Sequence, residues 1–322
     1  MNRITLAICA FNCAKYIEET LGCIVKQTFQ DFDLLIVNDS STDNSKEIIK
    51  RFFLKNPRKH CFINLEKNHG IAYGRKYVFE NVFTNYIIFV DADDKPYPSL
   101  VKKLYNKIKD DKDLMAVGCY QEYIDKNGKK IGGGLFLGEK TKIGFIEKAQ
   151  NKKLIFMQPT AIINREIALA AGGFKIDGYF EGKPRYQDFC EDLDLWTSMS
   201  DFYTEGKAII VIPEILSQYR KMENTTSTNT FGMLLKMKFI KMNLLRRRAG
   251  ENEQTFVDFF NSIATKQMEK IKKEAKAAVL LREGVFDLKK YHIFTAFRKI
   301  VNSIFLYPNY IVQKFKKNIL RN

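Results

Sequence analysis

The chain has 322 residues, of which 45% are hydrophobic and 13% aromatic, so it can bury a large core and general disorder is excluded. Lys and Arg number 53 against 37 Asp and Glu, which gives a formal net charge of +16. The six cysteines and three histidines lack paired spacing. This argues against a structural zinc site and indicates reduced thiols in a cytoplasmic protein. The sequence also lacks an uncharged apolar run of about 18 residues, so we expect no membrane-spanning helix.

Strands and helices are predicted to alternate from the N-terminus. Apolar runs that end in polar turns predict strands, and apolar residues at helical spacing predict helices. The predicted strands are residues 3–9, 32–37, 61–65, 86–90, 115–120, 161–164 and 208–212. The predicted helices are residues 16–27, 44–54, 70–82, 98–109 and 166–171, with another that opens near residue 188. This alternation indicates an α/β fold with a mostly parallel sheet flanked by helices.

Two later segments depart from this alternation. Residues 125–150 are rich in Gly and Lys and are predicted to form a mobile hairpin or loop. After residue 230 the pattern is wholly helical. Residues 231–322 carry a net charge of +13, whereas residues 1–230 carry +3. A strongly basic C-terminal region with a near-neutral body points to an anionic partner for that region.

Acidic clusters directly follow two of the predicted strands, at Asp39 and at Asp91-Ala92-Asp93. In open α/β sheets, ligands bind outside the carboxyl ends of the strands. In an extended segment, Asp91 and Asp93 would lie on one side and repel each other. A divalent cation, Mn2+ or Mg2+, bound together with diphosphate oxygens would relieve that repulsion. The spacing alone also fits a solvated acidic turn.

Five short motifs occur in one order along the chain. They are residues 8–12, residues 26–28, residues 37–45, residues 68–70 with Arg75, and residues 86–94. Over about residues 3–227, this combination resembles the family-2 glycosyltransferases of the GT-A type, which make bacterial surface glycans. The resemblance implies an inverting transfer of a sugar from a nucleoside-diphosphate sugar, expected to be a UDP-sugar, to a hydroxyl of a glycan or lipid-linked acceptor.

The resemblance also implies roles for residues on the donor side. Asp39 would hydrogen-bond the nucleobase, and Phe11 would lie against it. Asp91 would lie near the ribose and the metal, and Asp93 would be a metal ligand. The implied donor-binding residues are Phe11, Asn12, Asp39, Arg75, Asp91, Ala92, Asp93 and Arg220. Taken alone, Phe11 also fits simple core packing and Asp39 a helix-capping turn.

On the acceptor side, Glu191-Asp192 matches the acidic pair that the family places before a helix. The resemblance assigns the catalytic base to Asp192, with Glu191 helping to position the acceptor. Without the family context, the pair also fits charge compensation at a helix N-terminus. Phe174 and Trp196 match wall residues near the donor and the acceptor.

One departure from the family pattern concerns the diphosphate. Met222 stands where many relatives carry a His, so the metal requirement is open. Arg220, Lys221 or the hydroxyls of residues 225–227 could bind the diphosphate instead.

The resemblance divides the chain into a GT-A catalytic domain at residues 1–227 and a basic helical region at residues 228–322. Residues 1–120 would be the nucleotide-sugar half of the domain and residues 121–227 the acceptor half. Within residues 231–322, residues 231–248 and 286–320 mix large apolar residues with basic ones, which fits an anionic membrane surface on the inner face of the cytoplasmic membrane. The pattern equally fits helices that pack on the catalytic domain or on another subunit of a homo-oligomer. The region has no recognisable nucleic-acid module, so nucleic acid is not an expected partner.

Two functions other than glycosyl transfer remain as alternatives. A nucleotidyltransferase would be favoured by a Gly-rich, Lys-containing phosphate loop, but residues 9–15 contain no Gly. A non-catalytic, membrane-associated scaffold would not need Asp91, Asp93 and Asp192, all of which are present.

Overall fold

The structure is a computed structural model that describes residues 4–222, 228–289 and 292–308. The chain forms two compact units. Unit 1 comprises Met1–Asp177, Cys190–Glu223 and Ile240–Asn252, and unit 2 comprises Gly178–Phe189, Asn224–Phe239 and Glu253–Asn322. The domain boundary expected at residue 227 falls on residues outside the described ranges and stays a prediction.

Unit 1 contains the sheet and most of the shorter helices. Its strands are β1 (Ile4–Ala10), β2 (Asp33–Asn38), β3 (Cys61–Asn64), β4 (Tyr86–Phe89), β5 (Lys95–Pro96), β6 (Leu114–Ile124), β7 (Lys130–Leu135), β8 (Ala161–Asn164) and β9 (Ala208–Arg220). Its helices are α1 (Ile17–Val25), α2 (Ser45–Lys55), α3 (Ile71–Asn81), α4 (Leu100–Ile108), α5 (Lys142–Gln150), α6 (Arg165–Ala170) and α7 (Glu191–Met199).

The sheet order is β3-β2-β1-β4-β8-β6-β9-β5, and β7 pairs with β6. Pairing is parallel among β1, β2, β3 and β4 and between β6 and β9. It is antiparallel where β8 joins β4 and β6, where β7 joins β6, and where β5 joins β9. The predicted α/β class is confirmed, and the sheet is mixed because antiparallel strands follow the parallel N-terminal part.

The parallel strands β1, β2 and β4 are mostly buried, which fits their apolar sequences, whereas the edge strand β3 is not buried. In β1, every residue except Cys9 is buried, and Ile88 in β4 is 0% exposed. Ala10 lies opposite Asn38, and Ala7 lies opposite Phe89. The chain therefore leaves β1, β2 and β4 at one edge of the sheet. Strand order reverses between β1 and β4, which is where such sheets bind ligands.

The largest differences from the predicted elements lie in the second half of unit 1. Strand β9 continues past residue 212 to Arg220, and β5 was not predicted. The expected hairpin is formed by β6 and β7, with its turn at residues 125–129, but residues 125–150 also contain helix α5. The N-cap of α5 is Thr141, whose Oγ1 accepts a hydrogen bond from the Gly144 N–H at 3.1 Å.

The remaining helices are α8 (Thr230–Arg248), α9 (Phe256–Ser262), α10 (Thr265–Lys289) and α11 (Ile293–Leu306). The last turns of α8 belong to unit 1, where Arg247 and Arg248 both pair with Asp201. This part of the basic region is therefore used inside unit 1. Within the described ranges, none of the helices is long and apolar enough to cross a membrane.

Candidate active site

The loop after β1 presents an exposed aromatic ring. Phe11 is 47% exposed, so the core-packing alternative for it is wrong. Its neighbour Asn12 has a φ of 47°, and its Oδ1 accepts a hydrogen bond from the Thr42 N–H at 2.8 Å. The Asn12 N–H donates to Ser41 Oγ at 2.9 Å. These bonds tie the loop to the turn that follows β2, so Asn12 holds the shape of the loop that carries Phe11.

Asp39, directly after β2, is 5% exposed and orders the segment that leads into α3. Its carboxylate accepts hydrogen bonds from Asn68 Nδ2 at 2.7 Å and from the His69 and Gly70 N–H groups at 2.8 Å each. Asp39 therefore orders the loop before α3, and its bonds do not cap a helix, because the N–H groups that it binds precede Ile71. The contact with a nucleobase stays a prediction.

Arg75 joins two acidic groups that are far apart in the sequence. It projects from α3 with its side chain 4% exposed. Its Nη2 lies 2.9 Å from Asp91 Oδ1, and its Nη1 donates to Glu191 Oε1. Burial opposes the charged form, but the carboxylates of Glu191 and Asp91 raise the pKa of Arg75. The guanidinium therefore faces carboxylates, and its expected nucleotide contact stays a prediction.

Asp91, Ala92 and Asp93 form a turn, closed by a hydrogen bond from the Asp94 N–H to the Asp91 carbonyl at 3.1 Å. The extended conformation expected here is wrong, because the chain turns at once so that β5 can pair with β9. Asp91 and Asp93 are partly exposed, while Ala92 and Asp94 are buried. Burial and the nearby charge of Asp91 raise the pKa of Asp93 to about 6. The predicted repulsion between the two carboxylates is therefore present.

Two buried residues that were not predicted, Thr20 and Asp94, stabilise this turn through hydrogen bonds. Thr20 Oγ1 lies 3.0 Å from the Ala92 carbonyl and 2.8 Å from the Asp94 carbonyl. The Asp94 carboxylate accepts a hydrogen bond from the Arg220 N–H at 3.0 Å. A signal for Thr20 existed in the sequence, because it is a polar residue on the apolar face of predicted helix 16–27.

Arg220 also positions the turn. Its side chain is 1% exposed, and its Nε donates to the Asp93 carbonyl at 2.9 Å. Its Nη2 pairs with Glu19 at 2.5 Å, and the guanidinium lies over the Tyr16 ring. This geometry favours a positioning role over direct contact with the diphosphate, because the guanidinium is not open to a ligand. The hydroxyls of residues 225–227 lie outside the described residues.

The acidic pair on the acceptor side opens helix α7. Cys190, with a φ of 53°, turns the chain so that Glu191 and Asp192 occupy the first turn of α7. Glu191 pairs with Arg75, whereas the Asp192 carboxylate accepts the Leu193 N–H at 2.8 Å and is partly exposed. Burial raises the pKa of both carboxyls, against the opposing effect of Arg75. A partly exposed carboxylate with a raised pKa is suited to accept a proton.

Phe174 and Trp196, which were expected to form walls near the donor and the acceptor, are buried, and that role stays a prediction. Phe174 is 3% exposed and Trp196 is 1% exposed. Phe174 packs against the rings of Phe79 and Phe89, and its centroid lies 6.0 Å from the Arg75 guanidinium. Both residues are therefore part of the core, and Phe174 supports the site through Arg75.

The carboxylates suit a divalent cation only in combination with substrate oxygens. Within the described part of the chain, no group of three or more His, Cys, Asp and Glu side chains is placed to hold a metal. Asp91 and Asp93 offer two carboxylates, and burial, together with the charge of Asp91, raises the pKa of Asp93. Mg2+ commonly binds one or two protein carboxylates plus phosphate oxygens, so this donor set fits such an ion.

Solved structures place this fold in a known class. The chain superimposes on residues 1–349 of TarS from S. aureus in complex with UDP-GlcNAc, with a TM-score of 0.54 and 17% identity, over 97% of this chain and 92% of that one. It also superimposes on the mannosyltransferase PcManGT from Pyrobaculum calidifontis in complex with GDP-Man and Mn2+, with a TM-score of 0.53 and 16% identity, over 94% and 85%. The fold is that of a GT-A-type glycosyltransferase.

Sequence comparison identifies the family. The profile of Glycosyl transferase family 2 matches residues 5–171, so the chain belongs to that family. The matched residues include the loops after β1, β2 and β4 but end before Glu191 and Asp192. The predicted family and GT-A fold are therefore confirmed, while the roles of individual residues stay predictions.

Curated relatives include bacterial glycosyltransferases. Glycosyltransferase GlyG of Streptococcus pneumoniae is 24% identical over 239 residues, which cover 71% of this chain and 74% of that protein. The teichoic acid poly(glycerol phosphate) polymerase of Staphylococcus epidermidis is 40% identical over 95 residues, which cover 30% and 13%. GlyA of Streptococcus pneumoniae is 33% identical over 128 residues, which cover 39% and 18%. The chain thus matches less than a fifth of the length of the last two.

Proposed function

We propose that this glycosyltransferase is inverting and moves a sugar from a UDP-sugar to a hydroxyl of a glycan or lipid-linked acceptor in bacterial surface polysaccharide synthesis. The observation that carries the proposal is the bridge from Asp91 through Arg75 to Glu191. It connects the acidic turn after β4, where a donor would bind, to the first turn of α7, where a base is needed. Complexes of structural neighbours with UDP-GlcNAc and GDP-Man support a nucleoside-diphosphate sugar as the donor.

On the donor side, the exposed ring of Phe11 offers a flat apolar surface for the nucleobase. Asp39 orders the segment before α3, and its carboxylate would accept a hydrogen bond from a ring N–H of uracil. Asp93 and Asp91 would hold Mn2+ or Mg2+ together with the diphosphate. When bound, such an ion neutralises charge that develops on the leaving diphosphate.

On the acceptor side, Asp192 would take the proton of the acceptor hydroxyl as its oxygen attacks C1 of the sugar. The bond between C1 and the diphosphate oxygen breaks in the same displacement, and its electron pair leaves with the nucleoside diphosphate. A single displacement inverts the configuration at C1. Because Glu191 is paired with Arg75, Asp192 is the better placed of the two to act as base.

The proposed location is the inner face of the cytoplasmic membrane, where a lipid-linked acceptor would be met. The basic C-terminal region supports it through its net charge of +13 in residues 231–322. Self-association into a homo-oligomer is the other use proposed for that region.

Thermal shift with nucleotide sugars tests the donor proposal, because a ligand that binds the folded state raises the melting temperature. We expect a UDP-sugar to raise it more with Mn2+ than without. In Asp93→Asn the contribution of Mn2+ should be lost, whereas Asp110→Asn, a control with its side chain 85% exposed, should respond like the wild type. Absence of a shift with any nucleotide sugar would contradict the donor site.

Pyrophosphate release from UTP and a sugar phosphate would instead favour a nucleotidyltransferase.

A further inference from the structure

Helix α11 packs on α10 through its small residues. Ala296 and Ser303, seven residues apart, are both 0% exposed. Ser303 Oγ donates to the Ala277 carbonyl of α10 at 2.7 Å. A Cβ on Gly284 of α10 would lie only 2.8 Å from Ile300 Cγ1, which shows how closely the helices approach. The side of α11 that faces α10 is therefore defined by contacts.

Large apolar side chains lie away from that contact and form what we call the α11 stripe. Its members and their exposed fractions are Ile293 64%, Phe294 92%, Phe297 69%, Ile304 40% and Phe305 82%. Spacings of three, four and seven residues place side chains on one helical face, so these residues form a continuous band. Single exposed hydrophobic residues are ordinary, but a contiguous band of this kind marks a binding surface.

The sequence that forms and follows the stripe is basic. Residues 292–322 contain six Lys and Arg residues and no Asp or Glu. Within α11, Lys299 pairs with Glu283 and Asp287 of α10 at 3.1 and 3.0 Å, while Arg298 is exposed beside Phe297. Exposed Arg298 and the basic sequence of residues 292–322 therefore favour an anionic partner. They disfavour a second copy of this chain in a symmetric contact, which would place like charges against each other.

We infer that the α11 stripe inserts into the interface of an anionic lipid bilayer, with α11 lying in the membrane plane. Bulky apolar residues on one face and basic residues at its edge are the features of interfacial helices. At 14 residues, α11 is about 21 Å long, short of the roughly 30 Å needed to span the hydrocarbon core. This inference deepens the proposed membrane location and rests on it, but it does not depend on the transferase chemistry.

Co-sedimentation of the full chain with lipid vesicles tests this inference. We expect stronger binding to phosphatidylcholine vesicles containing about one third phosphatidylglycerol than to phosphatidylcholine alone. The double variant Phe294→Ser with Phe297→Ser should bind the anionic vesicles at least about tenfold more weakly, because two exposed rings no longer enter the interface. Arg298→Gln should weaken binding about fivefold at low salt and less at high salt.

The matched control is Phe83→Ser in unit 1, where Phe83 is 93% exposed. It should bind the anionic vesicles as the wild type does. Hydrolysis of a UDP-sugar in solution should be unchanged in the double variant, which separates a failure of this inference from a failure of the proposed function. Equal vesicle binding by the wild type and the double variant, or none by either, would overturn the inference. A dimer in sedimentation velocity that the double variant abolishes, without lipid binding, would assign the stripe to a second copy.

Discussion

Two parts of the site in unit 1 are stabilised by different interactions. We call them the nucleotide side, which contains Phe11, Asn12 and Asp39, and the acidic side, which contains Arg75, Asp91, Glu191 and Asp192. After β1 and β2, Asn12 and Asp39 are fixed by backbone and amide N–H donors, and Phe11 is left exposed. On the other side, Arg75 joins Asp91 and Glu191 in buried surroundings. The first arrangement fixes a shape, whereas the second concentrates charge that a proton or a cation can change. We expect variants on the first side to alter affinity and those on the second to alter rate and stability.

The largest expected effect is that of Asp192→Asn on turnover. An amide cannot accept the proton of the acceptor hydroxyl, so kcat should fall by about 10²–10⁴-fold while donor affinity changes little. Steady-state kinetics together with donor titration measure both quantities. Asp110→Asn serves as the exposed control and should match the wild type. A full rate in Asp192→Asn would assign the base to another group.

Arg75→Met tests whether the acidic side depends on its central cation. Removal of one partner from a buried ion pair leaves uncompensated charge, so the free energy of unfolding should fall by about 3 kcal/mol. The control is Arg51→Met, because Arg51 and Glu18 form an exposed pair at 3.8 Å, and it should cost under about 1 kcal/mol. Urea denaturation measures both. Equal costs in the two variants would mean that the Arg75 bridge is no stronger than a surface pair.

The pH dependence of transfer should also report the acidic side. Burial raises the pKa of Asp192, with a further rise from the charge of Asp91 and an opposing effect of Arg75. The base must be ionised to act, so kcat/KM should be lost as pH falls through this raised pKa. We therefore expect the acidic limb of the profile above about pH 4, the ordinary value for Asp. An acidic limb centred near pH 4 would show that burial does not raise the pKa of the catalytic base.

The smallest expected effect is on the nucleotide side. Phe11→Ala removes a ring that is already 47% exposed, so stability should hardly change. The lost stacking should weaken UDP binding by about 0.5–1.5 kcal/mol, or about two- to tenfold in Kd, with kcat unchanged. Isothermal titration with UDP measures it, and Phe83→Ala provides an exposed control. A large loss of kcat in Phe11→Ala would erase the contrast between the two sides.

The parallel core was predictable because its local signals agree with its final environment. Predicted strand 3–9 is observed at Ile4–Ala10, and predicted helix 70–82 is observed at Ile71–Asn81. An apolar run followed by a polar turn specifies both a buried strand and the edge where ligands bind. The same pattern placed Asp39 and Asp91 correctly at strand ends.

The elements and contacts that were missed depend on tertiary pairing. Strand β9 continues through Pro213 because β6 and β5 pair with it further along, and a local pattern does not contain those partners. Strand β5 has two residues, one of them Pro96, so it has no strand signal of its own. The pairing of Arg75 with Glu191 joins residues 116 positions apart. The family resemblance singled out Arg75 and Glu191 as candidate site residues but did not indicate that they meet.

A single displacement at the acidic side of the site inverts the anomeric carbon, so the configuration of the released sugar shows whether it occurs. Slow hydrolysis of an α-linked UDP-sugar by the full chain can be followed by proton NMR before the free sugar mutarotates, without knowledge of the natural acceptor. We expect the β-anomer to be released first and Asp192→Asn to suppress its release. Release of the α-anomer first would contradict a single displacement, because retention requires a different mechanism.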